Sequence, residues 1–163
     1  MKNSTHIASA IRVVIASLLM LIPIVALAQT EERALKMVQV LRLGDNLSDM
    51  TYQFAKNTTT YKIVEKTLGP QKADELLRAE IAVAVPKHQD EWNHTLAQAW
   101  APLMTAEEFD SVVSEKQKSP FAPKFMSLQG QAGATMKVSA EPLLKTVLME
   151  VLTGIFEKSM PKK

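Results

Sequence analysis

The chain has 163 residues, of which 47% are hydrophobic and 22% are charged, with 5 Gly, 8 Pro and no Cys. This balance is typical of a globular protein and excludes intrinsic disorder, a collagen-like repeat and a disulfide-stabilised scaffold. Nineteen Lys and Arg residues against 17 Asp and Glu residues leave a formal charge of +2, and the two signs are mixed along the chain. We therefore expect no nucleic-acid partner, because a phosphate-binding surface needs a concentrated basic patch.

The amino-terminal segment has the pattern of a secretory signal peptide. Lys2 and Arg12 precede a 16-residue apolar run, residues 13–28, which ends in Ala-Leu-Ala. A membrane span needs about 20 apolar residues, whereas a shorter run that ends in small residues is typical of a cleaved signal. We predict cleavage after Ala28, which leaves residues 29–163 as one domain with 17 charged residues of each sign. The expected location is periplasmic or secreted, in a bacterium, with no stable membrane anchor after cleavage.

The rest of the chain has the pattern of a helical protein. Apolar residues recur at spacings of three and four, and no segment alternates for long enough to predict a sheet. The domain is large enough to bury a core, since a chain of about 150 residues hides roughly two-thirds of its surface on folding. We therefore predict an all-α fold, a compact bundle of six to eight short helices.

Capping residues predict where these helices begin and end. The most specific signal is a capping box from Thr105 to Glu108, which marks a helix start. Gly69-Pro70 predicts the end of one helix and the beginning of the next. Less specific signals predict an end at Gly44, a cap at Asp45, a break at 57–60, a kink or division at Pro86, a cap at Ser119 before Pro120, a helix end or loose junction at Gly130 to Gly133, and the start of the last helix at Ser139.

The last predicted helix, from Ala140 to about Lys158, carries a wide apolar stripe. Its apolar residues form adjacent pairs every four positions, and at 100° per residue they cover about 220° of the helix surface. One neighbouring helix cannot bury so wide a stripe. We expect either that this helix lies at the centre of the bundle or that its surplus face meets a second copy of the chain, another protein, a peptide or an acyl ligand. The pairs are Leu143 and Leu144, Val147 and Leu148, Val151 and Leu152, and Ile155 and Phe156.

Two tryptophans extend this candidate surface. Trp92 and Trp100 occur on one apolar face of the helical stretch that follows Pro86. A carrier of a lipid or another apolar molecule would need a cavity on the order of a few hundred Å³ lined by the last helix and both tryptophans. The candidate partner or apolar-ligand surface consists of Trp92, Trp100, Leu144, Leu148, Val151, Ile155 and Phe156.

Residue types that carry catalysis are scarce in this chain. His88 and His94, with Asp90 and Glu91, have the residue types of a metal site, but the two histidines lie about 120° apart around a helix. They do not converge as the histidines of a His-Glu-x-x-His zinc helix do. The chain has no Cys nucleophile and no Gly-x-Ser-x-Gly elbow. We predict no catalytic residue, metal or cofactor and favour a non-enzymatic binding module; the enzymatic alternative is a small periplasmic hydrolase that uses these four side chains.

Two segments near the middle of the chain carry a resemblance to a known family. Residues 103–109 read Leu-Met-Thr-Ala-Glu-Glu-Phe, and after one helix residues 118–125 read Lys-Ser-Pro-Phe-Ala-Pro-Lys-Phe. Over residues 107–156 the chain resembles domain-of-unknown-function family 2059. It departs from that family at Ala122, where the family has Gly, and at Pro123, which is an added proline. The resemblance implies an exported, all-helical bacterial protein and implies no activity.

Overall fold

The computed structural model describes residues 22–160, with side chains from Ala28 onward. This part of the chain is helical and contains no strand, which confirms the predicted all-α bundle of six to eight helices. Most of the predicted signal peptide lies outside the described residues, and its predicted cleavage site lies within the first helix. The helices are α1 (Ile22–Val40), α2 (Leu47–Lys56), α3 (Thr59–Leu68), α4 (Pro70–Trp100), α5 (Ala106–Glu115), α6 (Ala122–Ser139) and α7 (Glu141–Ser159), with a 3₁₀ helix at Lys116–Lys118.

Helix α4 organises the bundle, because α1, α2, α3, α6 and α7 all pack against it. It is 31 residues long and continues through Pro86, so the predicted division at this proline is wrong. Proline removes one backbone donor from a helix and leaves a carbonyl four residues earlier without its partner. Both Pro86 and Ala82, which provides that carbonyl, are exposed. Water can therefore satisfy the carbonyl, and the helix persists.

Helix α7 shares the centre of the bundle with α4. It packs against α2, α3 and α4 and, less extensively, against α6. Its apolar stripe is divided between environments: Leu144 and Leu148 are half-buried, and Phe156 is 39% exposed. The buried members of the stripe are Leu143, Val147, Val151, Leu152 and Ile155.

The buried side chains form two hydrophobic clusters. The larger cluster joins α2, α3, α4 and α7 with the end of α6, and it includes Leu77 and Trp92. The smaller cluster joins α1, the end of α4, α5 and α6, and it includes Met37 and Trp100. Leu96 packs against both clusters. The two tryptophans therefore belong to different parts of the core, on either side of Leu96.

The two most specific helix boundaries are confirmed. In the capping box, the Glu108 N–H donates to Thr105 Oγ1 at 3.3 Å and the Thr105 N–H donates to Glu108 Oε2 at 2.9 Å. Gly69 ends α3 at a φ of 83°, in the region that glycine tolerates, and Pro70 is the first residue of α4. The break predicted at 57–60 is confirmed at Asn57 and Thr58 only, because Thr58 caps α3 and Thr59 and Thr60 already belong to that helix.

The predicted boundaries around Gly44 are wrong. Helix α1 ends at Val40, and the residue before α2 is Asn46, which makes no side-chain capping bond. Asp45 does not cap α2, because its carboxylate pairs with the Arg42 guanidinium at 2.5 Å. The Asp45 carboxylate therefore binds the side chain of Arg42 instead of the backbone N–H groups at the start of α2.

Three boundaries near α6 are also wrong. Ser119 is buried and accepts a bond from the Phe121 N–H at 3.1 Å, so it shapes the turn before α6 instead of capping it. Gly130 and Gly133 lie inside α6 and do not form a junction. Ser139 is the last residue of α6, and Ala140 alone separates it from α7.

Candidate functional site

A cavity of about 1190 Å³ lies between α2, α4, α6 and α7. Small-molecule sites usually measure about 300–1,000 Å³, so this cavity is slightly larger than such sites usually are. Most of the side chains that line it are apolar, with contributions from both hydrophobic clusters. The cavity therefore lies between the two clusters, where their side chains do not fill the space.

The cavity brings together four of the residues predicted from the sequence. Trp92, Trp100, Leu144 and Leu148 all line it. These residues come from two helices that are distant in sequence, α4 and α7, which pack side by side. The second members of the first two apolar pairs of α7 thus face the cavity.

The other three predicted residues lie elsewhere. Val151 and Ile155 are 1% and 0% exposed and belong to the larger core cluster. Phe156 is exposed and does not line the cavity. Helical periodicity indicates how wide a stripe is, but it cannot tell which part of the stripe meets core, cavity or solvent.

The two tryptophans are held in place by different contacts. Trp92 Nε1–H donates to Asn46 Oδ1 at 3.2 Å, so its polar atom is satisfied and its ring carbons contribute an apolar surface. The Trp100 ring stacks on Phe125 with 4.8 Å between ring centroids and 22° between planes. Trp92 and Trp100 are 2% and 3% exposed. They form a preformed aromatic wall of which only a small part of each ring is accessible from the cavity, and this wall needs no ordering when a ligand binds.

Helix α6 provides the opposite wall, and its small residues leave the space open. Ala132 and Gly133 of α6 line the cavity, and so does Ala140, which follows the helix. A Cβ atom built on Gly133 would have no neighbouring atom within 4 Å. The cavity therefore depends on side-chain size along α6 as well as on the separation of α6 from α2.

Charged side chains line the cavity at the junction of α6 and α7. Lys137, Glu141 and Lys145 are all exposed. Lys145 Nζ lies 2.6 Å from Glu141 Oε1, and this hydrogen-bonded ammonium holds the pKa of Glu141 below its usual value. Lys137 forms no ion pair within the described part of the chain. The lining thus carries two lysines and one carboxylate.

The histidines predicted for the hydrolase alternative do not line the cavity. His88 Nε2 lies 3.0 Å from Glu150 Oε2 on α7. Hydrogen bonds from Lys87 and then from His88 hold the pKa of Glu150 below its usual value. Across residues 22–160, no group of three or more His, Asp and Glu side chains is arranged to hold a metal ion. The remaining members of the set, Asp90, Glu91 and His94, are exposed.

A polar cluster between α2 and α4 was not predicted from the sequence. The Tyr52 hydroxyl donates a short hydrogen bond to Asp74, and Arg78 Nε donates to the same carboxylate at 2.8 Å. The bond from Tyr52, followed by that from Arg78, lowers the pKa of Asp74. Arg78 also lies over the Tyr52 ring at 4.4 Å from its centroid. None of these residues lines the cavity, so the cluster fastens α2 to α4.

Several residues that line the cavity were not predicted. Met50 and Phe54 of α2 lie across from α6, and Phe54 is 49% exposed. Met136 and Lys137 contribute from α6. Met136 shares one helical face with Phe125, a signal that was available in the sequence but was obscured by the two glycines of α6, whereas Lys137 does not share that face.

None of the described helices is both long and apolar enough to span a membrane. Comparisons of the chain with protein-family models, curated proteins and solved structures gave no match. The resemblance of residues 107–156 to family 2059 therefore stays a prediction.

Proposed function

We propose that this chain is an exported bacterial binding protein that holds an apolar small molecule in the cavity between α2, α4, α6 and α7. The observation that carries the proposal is the cavity of about 1190 Å³ with its mostly apolar lining. Transfer of apolar surface from water into such a site contributes about 25 cal/mol per Å². The export part of the proposal is supported by the signal-peptide pattern before Gln29.

The arrangement of the aromatic wall supports a ligand-binding role. A ligand that enters the cavity meets side chains already fixed by the bond between Trp92 and Asn46 and by the stack of Trp100 on Phe125. Preorganisation lowers the entropy cost of binding, so more of the apolar contact energy appears as affinity. The concave shape also favours a small molecule over a flat protein surface.

The test uses a neutral, apolar fluorescent probe, N-phenyl-1-naphthylamine. We expect saturable binding at one site per chain, with energy transfer from the two tryptophans, because both of them line the cavity. Gly133→Phe should weaken binding by about tenfold, equivalent to about 1.4 kcal/mol, because the added ring projects from a wall position with open space around it.

Gly130→Phe is the matched control. Gly130 lies in the same helix and also has open space around its Cβ position, but it does not line the cavity. Both substitutions replace glycine in a helix and are expected to leave the fold intact. Absence of saturable binding, or equal weakening by the two variants, would refute the proposal.

A further inference from the structure

We infer that the ligand is a single-chain amphiphile with an anionic head group, which Lys137 binds while the apolar tail lies along the apolar lining of the cavity, towards Trp92 and Trp100. This inference rests on the proposed function and specifies the chemical class of its ligand. It is drawn from the distribution of charge and exposure around the cavity.

The cavity has an apolar interior and an edge that carries charge where α6 meets α7. Its apolar lining includes Leu144 and Leu148, which are half-buried, whereas Lys137 and Lys145 are exposed. Phe54 and Val138 are exposed apolar residues elsewhere on the same lining. A fully apolar ligand would leave the charged edge without a partner, because such a ligand has no group that pairs with an ammonium. An amphiphile matches both parts, because its tail replaces water against the aromatic wall and its head group stays near solvent.

The sign of the head group follows from the charges that line the cavity. Glu141 is already paired with Lys145, while Lys137 has no carboxylate partner among the described residues. An anionic head group would therefore gain an ammonium partner without breaking an existing ion pair. A cationic head group would face two lysines and a carboxylate that is already occupied.

The test compares ligands that share one twelve-carbon chain: dodecanoate, dodecanol and dodecylamine. Each displaces N-phenyl-1-naphthylamine from the full chain, and each is measured with the wild-type protein and with Lys137→Gln. We expect Lys137→Gln to weaken dodecanoate binding by about three- to fivefold, the range of a solvent-exposed ion pair. Dodecanol should be unaffected, and dodecylamine should bind equally well or more tightly.

Lys62→Gln is the matched control, because Lys62 is exposed on α3, is absent from the cavity lining, and carries the same charge. It should leave the affinity for dodecanoate unchanged. Added salt should weaken dodecanoate binding and not dodecanol binding, because exposed charge pairs are screened. The affinities of the variants are compared for one ligand at a time, so differences in solubility among the three amphiphiles do not affect the result.

The possible failures are distinguishable. If Lys137→Gln changes all three affinities equally or leaves dodecanoate unchanged, the anionic head group is wrong, while binding of the neutral probe still supports the proposed function. If sedimentation reveals a dimer that binds the probe only after dissociation, a second copy of the chain occupies the cavity and the inference is overturned. We expect a monomer with and without dodecanoate.

Discussion

Asp74 illustrates how single residues fasten the bundle around the cavity. Its carboxylate accepts hydrogen bonds from Tyr52 on α2 and from Arg78 on its own helix. These donors favour the ionised form, so the pKa of Asp74 is lower in the folded chain than in the unfolded chain. The resulting stabilisation is fully present above the unfolded value, about 3.9 for Asp, and it is lost as the pH falls through the folded value.

We predict that Tyr52→Phe raises the pKa of Asp74 towards its ordinary value, because the hydroxyl provides the largest contribution to the shift. The variant should also lose less stability on acidification than the wild-type chain does. Carboxyl carbon chemical shifts followed by NMR through a pH titration measure the first effect, and denaturant unfolding at neutral and acidic pH measures the second. An unchanged Asp74 titration in Tyr52→Phe would contradict the assignment.

Residue-level predictions from sequence succeeded where the partners are close in the chain. The Thr105 capping box involves groups three residues apart, so the sequence alone contains both partners. Ser119 failed because it is buried against Ser111, whose Oγ lies 2.8 Å away. A serine hydroxyl that bonds to another side chain does not have to cap a helix, and the sequence does not show which side chain that will be.

Among the elements, α7 shows what periodicity can and cannot specify. Its apolar pairs correctly indicated a helix with more than one buried side. They could not show that Leu144 and Leu148 meet a cavity while Val147 and Val151 meet the core. That difference depends on α6, where Gly133 has open space beside it and leaves the cavity unfilled.

This division predicts different outcomes for two substitutions on α7. Val151→Asp places an unpaired charge at a position that is 1% exposed, so it should cost several kcal/mol and prevent folding. Leu148→Asp places the same charge at the half-buried cavity wall, where water reaches it. It should remain helical by circular dichroism and unfold cooperatively, but it should lose binding of N-phenyl-1-naphthylamine. An unfolded Leu148→Asp together with a folded Val151→Asp would contradict this description of α7.

Helix α4 carries a proline that its packing tolerates but does not require. Alanine is favoured over proline in a helix interior by about 3 kcal/mol, and Pro86 is exposed. We therefore predict that Pro86→Ala raises the free energy of unfolding by about 1–3 kcal/mol, as measured by urea denaturation. Pro70→Ala is the control and should bring no such gain, because Pro70 is at the first turn of α4, where proline is well accommodated. A loss of stability in Pro86→Ala would mean that the helix needs its proline.

At the scale of the molecule, residues 22–160 form a bundle with two hydrophobic clusters and a cavity between them. The fold class followed from the apolar spacing and the helix caps, which are local properties of the sequence. The cavity did not, because it depends on the distance between α2 and α6 and on which side chains fail to fill it. Trp92 and Trp100 were identified because they share an apolar helical face, whereas Gly133 was assigned to a helix end or loose junction, because the sequence does not show that the space beside an absent side chain belongs to a cavity.

If the chain is exported and its signal peptide is cleaved, the mass of the processed protein can be predicted. When the full-length chain is produced in a Gram-negative bacterium, we expect the periplasmic protein to begin at Gln29. The buried residues of α1, Ala34, Met37 and Val38, all follow that point, so the processed chain keeps the contacts of this helix with the core. Intact mass spectrometry measures the processing, and a mass that includes Lys2 and Arg12 would contradict it.

Quenching of tryptophan fluorescence by 12-bromododecanoate tests most directly whether the cavity binds a ligand. The chain has two tryptophans, both of which line the cavity and are nearly inaccessible to solvent. We predict saturable quenching by the long-chain bromide, weaker quenching in Gly133→Phe, unchanged quenching in Gly130→Phe, and little quenching by bromoacetate at the same concentration. Quenching that rises linearly without saturation, or that bromoacetate reproduces, would contradict the binding of a ligand in this cavity.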